Sequence, residues 1–146
     1  MKRILFLCSG NYYRSRFAEI FFNWHAQVRG MPWRAESRGL AINPCNLGPI
    51  SCHAKSNLAA RGIWCDSVDR LPLAVTDDDF AAAHHVVAVK EPEHRPLVES
   101  SFPRWHERVE YWHVHDVDCA MPEEALPILE REVLGLIERL IPTSVN

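Results

Sequence analysis

The residues with the clearest chemistry are a cysteine and an arginine six positions apart, in the stretch 5–16 with the sequence LFLCSGNYYRSR. Cys8 ends an apolar run, and Arg14 stands before a segment with helical spacing of apolar residues. A loop that leads into a helix N-terminus offers backbone N–H groups and about half a positive charge to an anion. Arg14 adds a guanidinium that can donate two parallel hydrogen bonds to phosphate oxygens. The C-x5-R spacing therefore predicts a phosphate-binding loop.

The thiol of Cys8 indicates that this loop can carry out a reaction and not only bind phosphate. The positive field that attracts phosphate also favours the thiolate, which is the nucleophilic form of cysteine. A thiolate beneath a bound phosphoryl group can attack phosphorus and form a cysteinyl phosphate. The alternative is a buried structural cysteine beside an exposed arginine, but the position between an apolar strand and an amphipathic helix favours catalysis. We therefore predict Cys8 and Arg14 as catalytic residues.

The rest of this loop completes the predicted phosphate site. Gly10 permits close approach of the backbone, and Asn11 is a residue type that tolerates the left-handed conformation of a tight turn. Tyr12 is predicted to form a wall of the pocket and to stack on an aryl phosphate, with Tyr13 as the other candidate. Ser15 is expected to stabilise the thiolate or to cap the following helix, and the two roles are compatible. The predicted phosphate-binding residues are Ser9, Gly10, Asn11, Tyr12, Tyr13, Arg14 and Ser15.

Strand and helix patterns alternate along the chain and must position these groups. Apolar runs and weaker β patterns predict strands at residues 4–8, 34–37, 85–89 and 109–114. Helical spacing predicts helices at residues 15–28, 49–62 and 77–83, after residue 91, and after residue 122. Because proline is tolerated only in the first turn of a helix, Pro127 is expected to delay the start of the last helix by a turn.

This alternation is typical of an α/β protein with a parallel sheet covered by helices on both faces. Ligands of such folds bind beyond the carboxyl ends of the strands. Residues 9–14 and the residues after 114 are therefore expected at the same edge of the sheet.

The composition indicates one globular domain that spans residues 1–146. Hydrophobic residues make up 47% of the 146 residues and charged residues 24%, so a core can form without disulfides and disorder is excluded. The net charge of -3 gives no general attraction to nucleic acid or to an anionic membrane. Five cysteines, no signal peptide and no apolar run long enough to span a bilayer favour a reduced, cytoplasmic protein.

The motif Cys8-Ser9-Gly10-Asn11-Tyr12-Tyr13-Arg14-Ser15, near the N-terminus, resembles the low-molecular-weight protein tyrosine phosphatase family. The similarity extends over most of the chain and includes residues 36–40, 49–63, 76–80 and 110–117. The resemblance implies a three-layer, flavodoxin-like fold of four parallel strands, the phosphotyrosine protein phosphatase I-like architecture. It also implies hydrolysis of a phosphomonoester in two steps through a cysteinyl phosphate.

The same resemblance bears on the cofactors, the substrate and the partners of the protein. No metal or organic cofactor is implied. The expected substrate is a phosphorylated protein or a small aryl phosphate, and inorganic phosphate or another oxyanion is expected in the loop. We expect neither nucleic acid nor membrane as a partner, and a monomer or a weak dimer.

Such a reaction needs a group that protonates the leaving oxygen and then activates water. Asp116 follows the last predicted strand and matches the general acid of the family, which makes it the third predicted catalytic residue. A turn-capping role for Asp116, or Asp118 as the acid, are the alternatives. The resemblance also implies that Ser37 bonds Asn11, and it places Arg70 where a histidine often supports the loop.

Several positions depart from the family pattern. Val117 stands where a proline usually follows the acid, Tyr13 replaces a second cysteine, and Val89-Lys90 replaces a Met-Asp pair. These departures leave the nucleophile and the arginine in place. The identity of the physiological substrate stays open.

Three other functions compete with phosphatase activity as interpretations of this sequence. A metal site at His113, His115 and Asp116 is disfavoured because His113 and His115 would share one face of a strand while Asp116 takes the other. Arsenate reductases of similar fold relay a disulfide through two further cysteines, but residues 89–94 contain none and Cys45 and Cys52 precede the second helix. A non-catalytic phosphate-binding module would not need a cysteine at all.

Overall fold

Four parallel strands form the central sheet of the protein, in the order β2-β1-β3-β4. A computed structural model describes residues 1–64, 66–116 and 121–141, without the side chains of Asp66 and Ser67. The strands are β1 (Lys2–Cys8), β2 (Trp33–Gly39), β3 (His85–Ala88) and β4 (Val109–Tyr111). The helices are α1 (Arg14–Val28), α2 (Cys52–Ala60), α3 (Asp77–Ala82), α4 (Glu91–Ser101) and α5 (Pro122–Leu140). The predicted three-layer α/β architecture is confirmed.

Side chains of β1 alternate between two cores because successive residues of a strand point to opposite faces. Ile4, Phe6 and Cys8 pack on the side of α1, α2 and α5. Leu5 and Leu7 pack on the side of α3 and α4. This alternation puts the thiol of Cys8 on the α1 side of the sheet, at the carboxyl end of the central strand.

The close approach of β2 to the loop after β1 depends on a glycine. The carbonyl oxygens of Cys8 and Ser9 accept hydrogen bonds of 2.9 Å from the backbone N–H groups that follow Gly39. A Cβ atom on Gly39 would lie 2.7 Å from the Ser9 oxygen and 3.1 Å from the backbone nitrogen of Asn11. A side chain at this position would therefore displace the backbone of the loop.

The end of β4 differs from the sequence-based prediction. Regular pairing stops at Tyr111, whereas the apolar pattern predicted a strand to residue 114. The extended path continues nonetheless, because the backbone N–H groups of Trp112 and Val114 donate to Ala88 and Val89 at 2.9 and 2.7 Å. These two bonds carry the chain to Asp116 at the same edge of the sheet as Cys8.

The expected delay at Pro127 is wrong. Helix α5 begins at Pro122 and runs through Pro127 without interruption. A proline at this position forfeits one backbone hydrogen bond, to the carbonyl four residues earlier. Burial of Ala125, Leu126 and Leu129 on both sides of the proline holds these turns on the core.

Within the described parts of the chain, no helix combines the length and the apolar character that a bilayer crossing requires.

Candidate active site

Most of the predicted site residues meet in one cavity of about 480 Å³ at the carboxyl edge of the sheet. The cavity is lined by all three predicted catalytic residues, Cys8, Arg14 and Asp116. Of the predicted phosphate-binding residues, it is also lined by Ser9, Gly10, Tyr12 and Tyr13. Asn11 and Ser15 are fully buried behind the loop, so their side chains support the cavity from outside it.

The thiol of Cys8 is 2% exposed and contacts the hydroxyl of Ser15, with 2.9 Å between Sγ and Oγ. Ser15 lies inside the first turn of α1, and the residue before the helix, Tyr13, provides no side-chain cap. The capping alternative for Ser15 is therefore wrong. A hydroxyl in this place can donate to a thiolate, which fits the other alternative.

Asn11 shapes the turn of the loop. Its φ of 49° lies in the left-handed region that the sequence predicted for this residue. The side-chain amide donates to Ser15 and Ser37, with 2.9 Å to each Oγ. Its oxygen accepts from the backbone of Leu73 at 3.0 Å and from Arg70 at 3.1 Å. The contacts expected for Ser37 and Arg70 are both present.

A buried group of charges supports these contacts from below. The Arg70 guanidinium donates to the Ser37 hydroxyl at 3.1 Å and to Glu19 at 3.2 Å. Glu19 also accepts from Arg16, a fully buried arginine, at 3.0 Å. Burial and the neighbouring Arg16 charge lower the pKa of Arg70. The network ties the loop to α1 and to β2, and so restricts its movement.

Arg14 is 2% exposed and makes a bidentate ion pair with Glu93. Nη1 donates to Oε2 at 2.9 Å, and Nη2 donates to Oε1 at 3.0 Å. Nη1 also donates to the carbonyl of Val114 at 3.0 Å, and Nη2 lies 3.5 Å from an Asp116 oxygen. Burial opposes the charge, but the hydrogen bond to Glu93 and the electrostatic interaction with Cys8 raise the pKa of Arg14.

Sequence reasoning missed Glu93 and its neighbour His94, which lie in the first turn of α4. The hydroxyl of Ser9 donates to Glu93 at 2.7 Å and lies 3.2 Å from Nε2 of His94. Burial opposes ionisation of Glu93, but hydrogen bonds from Arg14 and Ser9 outweigh it and lower the pKa to about 2. The available signal was topological: β1 and β3 are neighbours, so the segments after them share one edge of the sheet.

His94 is fully buried and neutral in this arrangement. The backbone N–H of Lys90 donates to its Nδ1 at 3.1 Å, so the neutral ring carries its proton at Nε2 and donates to Ser9. Burial and the charge of Arg14 lower the pKa of His94 from 6.5 to about 4.

We expect this histidine to make the fold sensitive to mild acid. Below pH 6.5 the unfolded chain binds a proton that folded His94 excludes, so stability is complete above that pH and falls toward pH 4. The loss between pH 7.5 and pH 5 should be about 2 kcal/mol. Urea unfolding of the wild type and of His94→Gln at both pH values checks this, with the exposed His113→Gln as control. An equal pH dependence in wild type and His94→Gln would contradict the assignment.

Both tyrosines of the loop line the cavity. The hydroxyl of Tyr12 donates to the carbonyl of Leu47, which fixes its ring at the cavity edge. Tyr13 is 5% exposed, and its ring meets that of His53 edge-on at 6.4 Å. Burial and the nearby Asp116 raise the pKa of Tyr13 to about 12, so its hydroxyl stays protonated. Stacking of Tyr12 on a substrate stays a prediction.

Asp116 stands at the mouth of the cavity, with 36% of its side chain exposed. This exposure leaves the carboxyl group accessible from the cavity, as the predicted role of general acid requires. Asp118, the alternative acid, lies outside the described residues.

Of the other candidate ligands and thiols, His113 and His115 do not line the cavity, whereas Cys52 does. The ring centroids of His113 and His115 lie 5.0 Å apart. Among residues 1–64, 66–116 and 121–141, no group of three histidine, cysteine or carboxylate side chains is placed to hold a metal ion. Cys45 and Cys52 are exposed free thiols, and Cys52 lines the rim of the cavity.

Cys8, Arg14 and Asp116 line one cavity at the carboxyl end of a central parallel strand, which is the set of groups that a cysteine-dependent phosphatase requires. The family model for low molecular weight phosphotyrosine protein phosphatases matches residues 3–130. The chain therefore belongs to this family, as the sequence motif predicted.

Individual relatives agree with this assignment. A protein-arginine-phosphatase of Bacillus subtilis (strain 168) is 27% identical over 106 residues, which cover 73% of this chain and 67% of that protein. The solved low molecular weight protein tyrosine phosphatase from T. tengcongensis is 29% identical, with a TM-score of 0.77 over 97% of this chain and 98% of that one. The corresponding enzyme from Streptococcus pyogenes has the same fold, with a TM-score of 0.83 at 22% identity over 98% and 95% of the two chains.

Proposed function

We propose that the protein removes phosphoryl groups from proteins, with Cys8 as nucleophile, Arg14 as phosphate anchor and Asp116 as general acid and base. The observation that carries this proposal is the convergence of these three side chains on one cavity. The Cys8 thiol lies at the base of the loop, where the N-terminus of α1 contributes its positive end. An arginine and a carboxylate complete the groups that phosphoryl transfer to a thiolate requires.

The reaction proceeds in two displacements. In the first, the Cys8 thiolate attacks phosphorus, the bond from phosphorus to the leaving atom breaks, and Asp116 protonates that atom. In the second, Asp116 accepts a proton from water, the water oxygen attacks phosphorus, and the P–S bond breaks. Inorganic phosphate leaves and the thiolate is restored. Backbone N–H groups of residues 9–14 and the Arg14 guanidinium stabilise the charge on the phosphoryl oxygens throughout.

Phosphotyrosine in a protein is the substrate that we propose first. The Tyr12 ring is fixed at the cavity edge through its bond to Leu47, in a place where an aromatic leaving group can stack. Phosphoarginine is the second candidate, because the curated relative at 27% identity is a protein-arginine-phosphatase. A planar guanidine can stack on the same ring.

One set of assays tests these proposals. We expect hydrolysis of p-nitrophenyl phosphate without added thiol or partner protein. Comparison of the hydrolysis rates of matched phosphotyrosine and phosphoarginine peptides then distinguishes the two proposed substrates. Turnover that depends on thiol reductant and arsenate would instead indicate the arsenate reductase alternative. Phosphate binding without hydrolysis of any ester would indicate a binding module.

The proposed partners and location follow from the same site. We propose a phosphorylated protein as substrate and inorganic phosphate as the ligand of the loop, with the chain acting as a monomer or weak dimer. A reducing compartment such as the cytoplasm suits the free, buried thiol of Cys8, because the reaction requires the reduced thiol and oxidation to a disulfide would block it.

Arg14→Lys is expected to lower both the affinity for inorganic phosphate and the rate. Lysine presents a single point charge and cannot donate two parallel hydrogen bonds to phosphoryl oxygens. The expected loss in kcat/KM is about 10²- to 10³-fold. Steady-state kinetics and phosphate inhibition check this, with the exposed Arg95→Lys as a matched control. Normal kinetics in Arg14→Lys would place this arginine outside the phosphate site.

A further inference from the structure

We propose that Glu93 is a positioning residue that determines which edge of the Arg14 guanidinium faces the phosphoryl group. This inference rests on the proposed function and adds a residue from α4 to it. Glu93 does not line the cavity with Cys8 and Arg14, so it acts through the arginine and not on the substrate. Its carboxylate accepts one hydrogen bond from each terminal nitrogen of Arg14.

The N–H groups of Arg14 can be assigned one by one. A guanidinium has five, and one from each terminal nitrogen is directed at Glu93. The second N–H of Nη1 is directed at the carbonyl of Val114. Among the described residues no hydrogen bond from Nε is present, and the second N–H of Nη2 has only the longer 3.5 Å approach to Asp116. These two N–H groups form a two-pronged edge. This edge is the one that can bind two oxygens of a phosphoryl group in parallel.

Glu93 is itself held from the opposite side. Ser9, a member of the phosphate loop, donates to Oε1 at 2.7 Å, which is the oxygen that also accepts from Nη2. The buried ring of His94 donates to Ser9, and the backbone of Lys90 donates to that ring. The hydrogen-bond chain therefore links α4 to the loop and to the arginine, and it fixes the carboxylate before any substrate binds.

The negative charge of Glu93 weakens the electrostatic attraction between Arg14 and a phosphate anion. Its pKa of about 2 keeps it ionised at every working pH, so it offsets the positive charge of Arg14 near the bound dianion. Removal of this negative charge should therefore preserve or strengthen the binding of inorganic phosphate. Rate should fall all the same, because the arginine no longer has a fixed orientation toward the transition state.

Three variants separate orientation from charge. Glu93→Gln removes the charge, Glu93→Asp keeps it but withdraws the carboxylate by one methylene, and Glu91→Gln changes an exposed carboxylate on the same helix. We expect both Glu93 variants to lower kcat for p-nitrophenyl phosphate by about 10- to 100-fold. Glu93→Gln should bind inorganic phosphate as tightly as wild type or more tightly, and Glu91→Gln should behave as wild type.

Inhibition by vanadate gives a second readout, because vanadate adopts the five-coordinate geometry of the transition state. In the Glu93 variants, the inhibition constant for vanadate should rise with the loss of kcat while that for phosphate does not. An unchanged kcat in Glu93→Gln would overturn the inference, as would a parallel loss of phosphate binding and kcat. Full activity of Glu93→Asp would also overturn it, because charge and not placement would then suffice.

Failure of this inference can be told apart from failure of the proposed function. A wild-type protein that hydrolyses no phosphoester overturns the proposed function directly. Normal wild-type turnover with fully active Glu93 variants overturns only the role of Glu93. Calorimetric binding of inorganic phosphate to each variant in a Cys8→Ser background confirms that the variants are folded and binding-competent, without reliance on turnover.

Discussion

Cys8→Ser is expected to bind inorganic phosphate like the wild type and to lose turnover by several orders of magnitude. A serine hydroxyl stays protonated at neutral pH and is a far weaker nucleophile toward phosphorus than a thiolate. The groups that bind the anion are unchanged by the substitution, since they are backbone N–H groups, Arg14 and the N-terminus of α1. The variant should therefore separate binding from chemistry.

Calorimetry with phosphate and steady-state hydrolysis of p-nitrophenyl phosphate measure the two effects separately. Cys45→Ser is the matched control, because Cys45 is an exposed free thiol that does not line the cavity. Rapid quenching of wild-type turnover should also trap a phosphoryl group on the protein that is stable to base and absent from Cys8→Ser. Hydrolysis by Cys8→Ser at the wild-type rate would refute the cysteinyl phosphate mechanism.

Local patterns in the sequence were sufficient to predict the loop after β1 and the place of Cys8 at its start. Cys8 ends an uninterrupted apolar run. A short run of this kind is typical of a strand that is buried on both faces. The left-handed conformation of Asn11 follows from its residue type and from the tight turn that a five-residue gap to Arg14 requires. In each case the determining contacts are close in sequence.

Interactions between distant parts of the chain were not predictable in this way. Glu93 lies 79 positions from Arg14, and a Glu-Pro-Glu sequence reads as the solvated start of an ordinary helix. Its role depends on the parallel pairing of β1 with β3, which brings the segments after both strands to one edge. Only the fold brings this common type of helix start into contact with Arg14.

The errors at Ser15 and Pro127 have the same origin. Helix rules assign serine to a cap and proline to a first turn, because they consider the isolated helix. In the protein, Ser15 instead contacts the buried thiol of Cys8, and Pro127 is held within α5 by apolar neighbours on the core. Tertiary contacts therefore override local preference at both positions.

The substitution Asp116→Asn should produce an effect that depends on the leaving group. A general acid matters most when the departing oxygen is basic and least when it is a stable anion. We expect hydrolysis of unsubstituted phenyl phosphate to slow by about 10²- to 10⁴-fold, and that of p-nitrophenyl phosphate to slow far less in the first step. Breakdown of the cysteinyl phosphate should slow with every substrate, since water loses its base.

The pH dependence of the first step tests the same assignment independently. In the wild type the first step requires the thiolate of Cys8 and the protonated carboxyl of Asp116, so its rate should rise and then fall as the pH increases. Asp116→Asn should lose the falling limb, because an amide has no proton to lose. Asp116 lies 3.5 Å from Arg14, so its carboxyl is beside the predicted phosphate site.

Asp118→Asn provides the decisive comparison, because this carboxylate is only two residues further along the chain and was the alternative acid. If Asp116 is the acid, Asp118→Asn should keep the bell-shaped profile and the wild-type dependence on leaving group. Loss of the falling limb and a steep leaving-group dependence in Asp118→Asn alone would reverse the assignment.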